Sequence, residues 1–240
     1  MNCLDVSFPA PAENLACDEA ILDAAEEQGG QPVLRFWESP VPFVVLGYAN
    51  RIVDEVNVPA CRELGLPILR RCSGGGTVVQ GSGCLNYAVV LPMSEAPELE
   101  SITGTNRFVM ERARRAIAGA LGSSVAVEGH TDLALGDLKF SGNAQRRKRE
   151  WLLFHGTVLL NEFDRGLISR VLRQPPRQPE YRRSRDHGEF VTGLGLDRAT
   201  VKNALRSEWR AVDGPGEIPI ARIRELVSSR YSRAEWNLAR

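Results

Sequence analysis

The stretch Arg70-Arg71-Cys72-Ser73-Gly74-Gly75-Gly76-Thr77-Val78-Val79-Gln80-Gly81-Ser82-Gly83-Cys84-Leu85-Asn86-Tyr87 decides how the chain is read. Two arginines enter it, then a serine, three consecutive glycines, β-branched residues, a second glycine turn and another apolar run. Three successive residues without Cβ let the backbone take positive φ and let a ligand approach it closely. The adjacent guanidinium forks suit phosphate or carboxylate. On these residues alone two readings stand: an anion-binding loop, or a tight hairpin flanked by two surface arginines.

Upstream, Glu13 to Gln28 places Leu15, Ala16, Ala20, Ile21 and Ala24 near a period of 3.6, which predicts a helix stopped by Gly29-Gly30. Pro32 to Trp37 and Phe43 to Leu46 predict strands, and Val58 to Leu64 a short helix. Pro67 to Arg71, Thr77 to Gln80 and Leu85 to Leu91 predict three strands joined at glycines into an antiparallel meander. Downstream, Thr105 to Leu121 carries an apolar stripe through Phe108, Val109, Ala113, Ile117 and Ala120 and predicts a long helix. Short strands follow at 125–127 and 132–135. Gly136-Asp137 signals a two-residue hairpin into a strand over 138–145, broken at Ser141-Gly142. Arg146 to Arg149 reads as a charged turn, and Trp151 to Leu160 as the next strand. Helices are expected over 165–172, 198–211 (begun near Asp197) and 220–231, with a proline- and arginine-rich loop of polyproline character over 174–188. The expectation is one mixed α/β domain, sheet-rich in the middle and helix-rich at its ends.

The 240 residues include 30 basic and 30 acidic side chains, so bulk charge gives no drive toward nucleic acid. Five cysteines, an odd count with no CxxC pair, fit a reducing compartment. No cysteine–histidine cluster has zinc spacing. No run approaches the ~20 apolar residues of a membrane span, and the first residues show neither a basic n-region nor an apolar h-region. A cytoplasmic protein without membrane or nucleic-acid partners is expected.

The P-loop, the GxSxG elbow and the GxGxxG fingerprint are all absent. Lys139 alternates with Leu138 and Phe140 on a predicted strand and faces away from them. It is either a point charge reaching into a site or a solvent-facing lysine. His155, beside Gly156, reads as a core histidine or a site residue; His130 and His187 fall in expected loops. Cys72 and Cys84 flank the glycines and are read as small packing residues.

The motifs occur in a specific order. Arg-Arg-x-Ser-Gly-Gly-Gly-x-Val spans Arg70 to Val78, Lys-x-Ser-Gly-x-Ala spans Lys139 to Ala144, and His-Gly-Thr-x-Leu spans His155 to Leu159. Leu34-Arg35-Phe36-Trp37, Val44-Val45-Leu46-Gly47, Thr131-Asp132-Leu133 and Glu235-Trp236-Asn237 add to them. The ordered set, covering nearly the whole chain, resembles the lipoate–protein ligase A family of the biotin/lipoate protein ligase superfamily.

The resemblance implies an α+β fold: a mixed, mainly antiparallel central sheet flanked by helices, related to class II synthetases. It implies a single catalytic domain over residues 1–240, without the C-terminal accessory domain of the best-known bacterial ligases. It implies a reaction in which lipoate (or octanoate) and ATP give an acyl-adenylate, and the acyl group then passes to a lysine of a carrier domain. Lys139 would be catalytic. Arg71, Ser73, Gly74, Gly75, Gly76, Thr77, Val78, Val79, Asp132, Ser141 and Ala144 would hold ATP and the adenylate. Trp37, Gly47, Asn86, Lys139, His155 and Gly156 would hold the lipoyl group, with Trp37, Val44, Val79 and Leu85 walling an acyl tunnel. Mg2+ would bridge phosphates. The partner implied is an acidic lipoyl carrier domain or lipoate-binding protein; two readings stand for adenylation, one in which the chain works alone and one in which a separate small accessory polypeptide activates it. The arginine-rich loop Arg173 to Arg185 is either a docking surface for that carrier or a solvated loop.

Thr131 stands in place of the family's asparagine, and Thr77 in place of its alanine. Three alternatives remain. An acyltransferase of the same superfamily would need a nucleophilic cysteine, yet none lies between residues 85 and 240, and Thr131-Asp132-Leu133 stands where one transferase branch would carry it. A biotin ligase would carry a different basic pattern at its glycine loop. A non-catalytic scaffold would not need Arg71, the glycines and Lys139.

Overall fold

The computed structural model describes residues 1–214 and 216–239. Eight strands form one mixed sheet: β1 (Asn2–Asp5), β2 (Val33–Trp37), β6 (Cys84–Pro92), β7 (Ala126–Glu128), β8 (Asp132–Leu135), β9 (Leu138–Arg147), β10 (Trp151–Leu159) and β11 (Val212–Asp213). Their order is β11-β1-β2-β6-β10-β9-β8-β7. Only β11–β1 and β1–β2 run parallel; the rest are antiparallel. The α+β expectation, a mainly antiparallel sheet flanked by helices, is what the chain adopts. A second sheet of three short strands, β4 (Ile68–Arg70), β3 (Phe43–Leu46) and β5 (Val78–Gln80), stands beside it in that order.

The expected meander is corrected here. β4 and β5 do not pair with each other: β4 lies parallel to one side of β3 and β5 antiparallel to the other, while β6 belongs to the large sheet. The reason lies in the glycine segment. Its carbonyls fold onto the Arg71 side chain and carry the chain across β3.

One face of the large sheet packs on α4 (Ile102–Leu121) and α7 (Arg198–Glu208), through Phe36, Tyr87, Phe140, Phe154 and Val158. The other packs on α1 (Pro11–Gln28), through Trp37, Ala88, Val90 and Leu153. Fully burying side chains such as Phe36 and Phe154 favours folding by roughly 1.5–3 kcal/mol each. Caps explain the helix ends. Ser101 accepts from Gly104 N and starts α4 three residues before the expected Thr105. Asp197 accepts from Thr200 N and starts α7. Gly29 and Gly122, with φ of 71° and 68°, stop α1 and α4.

Between the sheets, α2 (Ile52–Glu55), α3 (Val58–Glu63), α5 (Arg165–Val171) and α6 (His187–Phe190) close a smaller core around Val44, Leu46, Val79 and Cys84. The expected last helix is α8 (Ile220–Leu226), which runs on into a wider turn over Val227–Tyr231 before α9 (Ala234–Asn237). Buried Arg70 ties this end to the second sheet. Its guanidinium donates to the carbonyls of Gly47, Tyr48 and Asn50 on one side, and of Trp236 and Ala239 on the other. Trp236 Nε1 and Asn237 Oδ1 bond the Arg70 backbone in return, giving the Glu235-Trp236-Asn237 motif a structural role. Strands β1 and β11 and helices α2 and α6 were not expected. All four have at most four residues, too few to show a period. Among the described residues no helix is long and apolar enough to cross a membrane.

Candidate active site

A cavity of about 950 Å³ lies where the α1 side of the large sheet meets the second sheet. Three elements of the quoted motifs converge on it. The Ser73 hydroxyl lies 2.6 Å from His155 Nε2, joining the glycine loop to β10. A Cβ on Gly75 would touch Ala144 Cβ at 3.4 Å, so the loop tip rests on β9. Lys139 enters from the start of β9 and pairs with Asp132 of β8 at 2.7 Å.

The aim of Lys139 depends on an irregularity in the β8–β9 ladder. Asp132 opposes Gly142 and Leu133 opposes Ser141, but Ala134 opposes Lys139, so the register skips Phe140. Phe140 packs in the core beneath α4 and α7, and Ser141 sits between core residues Leu133 and Val158. Two successive side chains thus point into that core, and Lys139 and Gly142 both line the cavity. This is a β-bulge re-aiming a side chain. It also corrects the expected break at Ser141-Gly142: β9 is continuous, and only its register changes.

Arg71 is placed differently from a free phosphate ligand. Its guanidinium donates to Gly74 O at 2.6 Å, Gly76 O at 2.8 Å and Ser73 Oγ at 3.1 Å. Burial lowers its pKa to about 10, so it remains protonated at neutral pH. Asn50 Nδ2 takes the third glycine carbonyl, Gly75 O, at 3.0 Å. With all three carbonyls engaged from behind, the N–H groups of residues 74–76 have no acceptor among the described residues. Backbone amides left free in this way are able to bond an anion.

His155 lies between two partners. Its Nδ1 is 3.2 Å from Asp18 Oδ2, and Asp18 in turn accepts from Arg35 at 2.5 Å and from Trp37 Nε1 at 3.3 Å. With the ring proton on Nδ1, Nε2 accepts from the Ser73 hydroxyl, whose oxygen accepts from Arg71. Burial opposes the Asp18 charge, but the Arg35 guanidinium and the His155 contact overcome it and hold the carboxyl below its ordinary value. Gly156 makes room for the Asn143 side chain, which accepts from Tyr87 at 2.6 Å. The floor between these groups is a closed polar ring. Asn86 donates to Gln80 at 2.8 Å, Gln80 to Thr157 at 2.7 Å and Thr157 to Asn86 at 2.6 Å.

Of the expected site residues, Arg71, Gly75, Gly76, Thr77, Val78, Val79, Asp132, Lys139, Ala144, Trp37, Asn86, His155 and Gly156 line the cavity. Ser73 is fully buried behind the loop, Gly74 is exposed beside it, Ser141 faces the opposite core, and Gly47 lies under the Gly75 carbonyl. Val44 and Leu85 leave the expected tunnel wall because strand alternation turns Val45 and Asn86 toward the cavity instead.

Segment 173–182 lines the remaining side, and Tyr181 donates to Asp132 Oδ2 at 2.8 Å. The arginines of the expected loop Arg173 to Arg185 divide between engaged and exposed ones. Arg182 is buried over the Phe190 ring, and Arg185 bonds Asp137 and the Tyr181 carbonyl. Arg173, Arg177 and Arg183 are exposed. His130 and His187, which fall in expected loops, also line the cavity. Burial, followed by the Arg182 charge, lowers the His187 pKa to about 4. Asp18, Glu55 and Tyr181 were missed. Asp18 was hidden in a helical pattern, and the others depend on contacts from distant segments.

All five cysteines are buried, and none lines the cavity. Burial pushes the thiol of Cys84 up to about 12 and raises that of Cys72 as well. A second hollow of about 1130 Å³, between α4 and α7, holds no comparable set: its Arg115 and Glu208 pair with each other at 2.5 Å.

Known proteins share this fold. A crystal structure of a lipoate-protein ligase A bound with ATP superposes with a TM-score of 0.85 at 25% identity, covering 99% of this chain and 98% of the other. A bi-partite lipoate protein ligase from Thermoplasma acidophilum, described with its E2 lipoyl domain, gives 0.82 at 26% identity, covering 100% and 97%. The octanoyltransferase LipM of Geobacillus kaustophilus is 24% identical over 272 residues, 99% of this chain and 97% of its own. The family model of the lipoyl protein ligase A/B catalytic domain matches residues 10–196, and the chain belongs to that family.

Proposed function

We propose that this chain is an ATP-dependent lipoate–protein ligase. In the first step a carboxylate oxygen of lipoate or octanoate attacks the α-phosphorus of ATP. The bond from α-phosphorus to the bridging oxygen breaks, and pyrophosphate leaves. In the second, the amine of a carrier lysine attacks the acyl carbonyl, AMP leaves, and an amide remains. The observation that carries this reading is the pairing of free glycine-loop amides with Lys139 in one cavity that no cysteine lines. Two anions must meet for adenylation, and fixed N–H dipoles with a mobile ammonium stabilise the charge that develops.

The protein's own groups divide this work. The Arg71-shaped loop receives phosphate oxygens. Lys139, released from Asp132, bridges carboxylate and α-phosphate. Trp37, Leu15 and Val45 surround the acyl chain. The mixed anhydride is already activated, so no covalent nucleophile is required. Among the described residues no three potential metal ligands cluster. Mg2+ would be held mainly by the phosphate oxygens of ATP and would neutralise their charge. The acceptor is an acidic lipoyl carrier domain. The bi-partite ligase favours a small second polypeptide that assists the adenylation step.

Similarity to LipM favours a second reading, octanoyl transfer from a carrier thioester without ATP. Incubation with ATP, lipoate and a lipoyl carrier domain separates the two. The ligase releases pyrophosphate only when lipoate is present, and the carrier gains the lipoyl mass. Transfer from octanoyl-acyl-carrier protein without ATP, and no pyrophosphate release with or without added partner polypeptide, would replace this reading with the transferase.

A further inference from the structure

The glycine loop is gripped from outside its own motif. Glu55, the last residue of α2, accepts three hydrogen bonds on one oxygen: Thr77 N at 3.0 Å, Thr77 Oγ1 at 2.5 Å and Asn50 Nδ2 at 2.7 Å. Asn50 passes the grip on to Gly75 O. The turn at 47–50 lies so close beneath that a Cβ on Gly47 would collide with the Gly75 carbonyl. Residue 55 also reaches the opposite wall of the cavity. Its backbone carbonyl accepts from Arg173 N at 2.9 Å, and Arg173 Nε donates to the Val56 carbonyl at 3.2 Å. Arg173 begins the segment that covers the site.

We infer that Glu55, acting through Asn50 and Thr77, is a positioning residue that holds the glycine-loop amides in their anion-receiving arrangement and joins that loop to the segment across the cavity. Arg71 holds the carbonyls of Gly74 and Gly76 from one side, and the Asn50–Glu55 brace holds Gly75 and Thr77 from the other. An unbraced run of three glycines would sample many conformations, and binding would have to order it. A carboxylate suits the task because hydrogen bonds to a charged acceptor are roughly twice as strong as neutral ones. This inference rests on the ligase reading for its choice of ligand, but not for the state of the loop.

The test compares Glu55→Ala, Glu55→Gln and Thr77→Val in the full chain, by hydrogen exchange over residues 73–77 and by ATP titration followed with pyrophosphate release. In Glu55→Ala the Thr77 amide, which donates to Glu55 in the parent, should exchange about tenfold faster and the KM for ATP should rise about tenfold, while kcat changes less than KM. Glu55→Gln keeps a carbonyl acceptor for Thr77 N and Asn50 Nδ2 and should restore both values to within about threefold. Thr77→Val, losing the hydroxyl's bonds to Glu55 and from Asn50, should fall between the parent and Glu55→Ala, and it tests the brace if Glu55→Ala does not fold. Unchanged exchange of the residue-77 amide in Glu55→Ala, or in Thr77→Val where that variant must serve, overturns the inference. So does a Gln variant as defective as the Ala variant. A parent chain that neither binds ATP nor releases pyrophosphate would overturn the ligase reading instead, and the exchange data would still judge the brace.

Discussion

Gly142 lies directly beneath the Lys139 side chain: a Cβ built on it would stand 2.8 Å from Nζ and 2.9 Å from Cε. The lysine therefore folds back over its own strand to reach Asp132. This is the physical content of the Lys-x-Ser-Gly spacing. The bulge at Phe140 turns residues 139 and 142 to the same side, and the missing side chain at 142 gives the lysine its path. Gly142→Ala should displace the ammonium by about 1 Å and slow adenylate formation by about 100-fold. Lys139→Ala should match or exceed that loss. Thermal unfolding and lipoate-dependent pyrophosphate release check the pair. Melting temperatures close to the parent are expected, and normal turnover in either variant contradicts the assignment.

Arg71→Lys tests whether the arginine acts by shape or by charge. Lysine keeps the charge but cannot bond Gly74 O, Gly76 O and Ser73 Oγ together from a planar fork. If Arg71 shapes the loop, Arg71→Lys should raise the KM for ATP about tenfold and Arg71→Ala slightly more. Near-normal kinetics in the lysine variant would mean that the charge alone matters. Single-turnover measurements with added lipoyl-adenylate should show transfer less affected than adenylation.

The large sheet and its two long helices were legible because their apolar periods run for many residues, as in α1, α4, β6 and β10. The three motif stretches were legible as an ordered set. The meander was misread because strand alternation carries no information about which strand is the neighbour, and the Arg71-bound loop crosses β3 instead of turning back. The site was half-legible for a similar reason. Lys139 and His155 sit inside recognisable strands, whereas Asp18, Glu55 and Tyr181 arrive from segments up to 137 residues from the group they serve, as Asp18 does for His155. Ser73 and Arg71 are read from the motif beside the glycines, but which way they point depends on backbone carbonyls that a sequence does not display.

Cys72 and Cys84 separate the ligase from a thioester route. Both are buried outside the cavity, with their thiols raised by burial and so poorly ionised at neutral pH. Cys72→Ala and Cys84→Ala should each lower stability by about 1–2 kcal/mol through lost packing. Pyrophosphate release and carrier lipoylation should stay within about twofold of the parent, as for core changes remote from a site. Loss of acyl transfer in either folded variant, with a covalent acyl adduct on the parent by mass spectrometry, would establish the transferase route.

Asp18 couples stability to pH. Its folded-state pKa lies below the ordinary value of 3.8, where burial is outweighed by Arg35 and His155. A carboxyl whose pKa is depressed on folding stabilises the fold above its unfolded value and loses that contribution as pH falls through the folded value. Asp18→Asn removes the titration and leaves Arg35 buried against a neutral amide, at a cost of about 3 kcal/mol near neutrality. The difference in unfolding free energy between parent and variant should therefore be widest at pH 6–7. It should shrink progressively below about pH 4 as the parent carboxyl takes up its proton. Denaturant titrations across that range measure it. A difference that stays constant with pH would show that Asp18 contributes packing and hydrogen bonds but no ionic stabilisation, and that the Asp18–His155–Ser73 chain does not depend on a charged carboxylate.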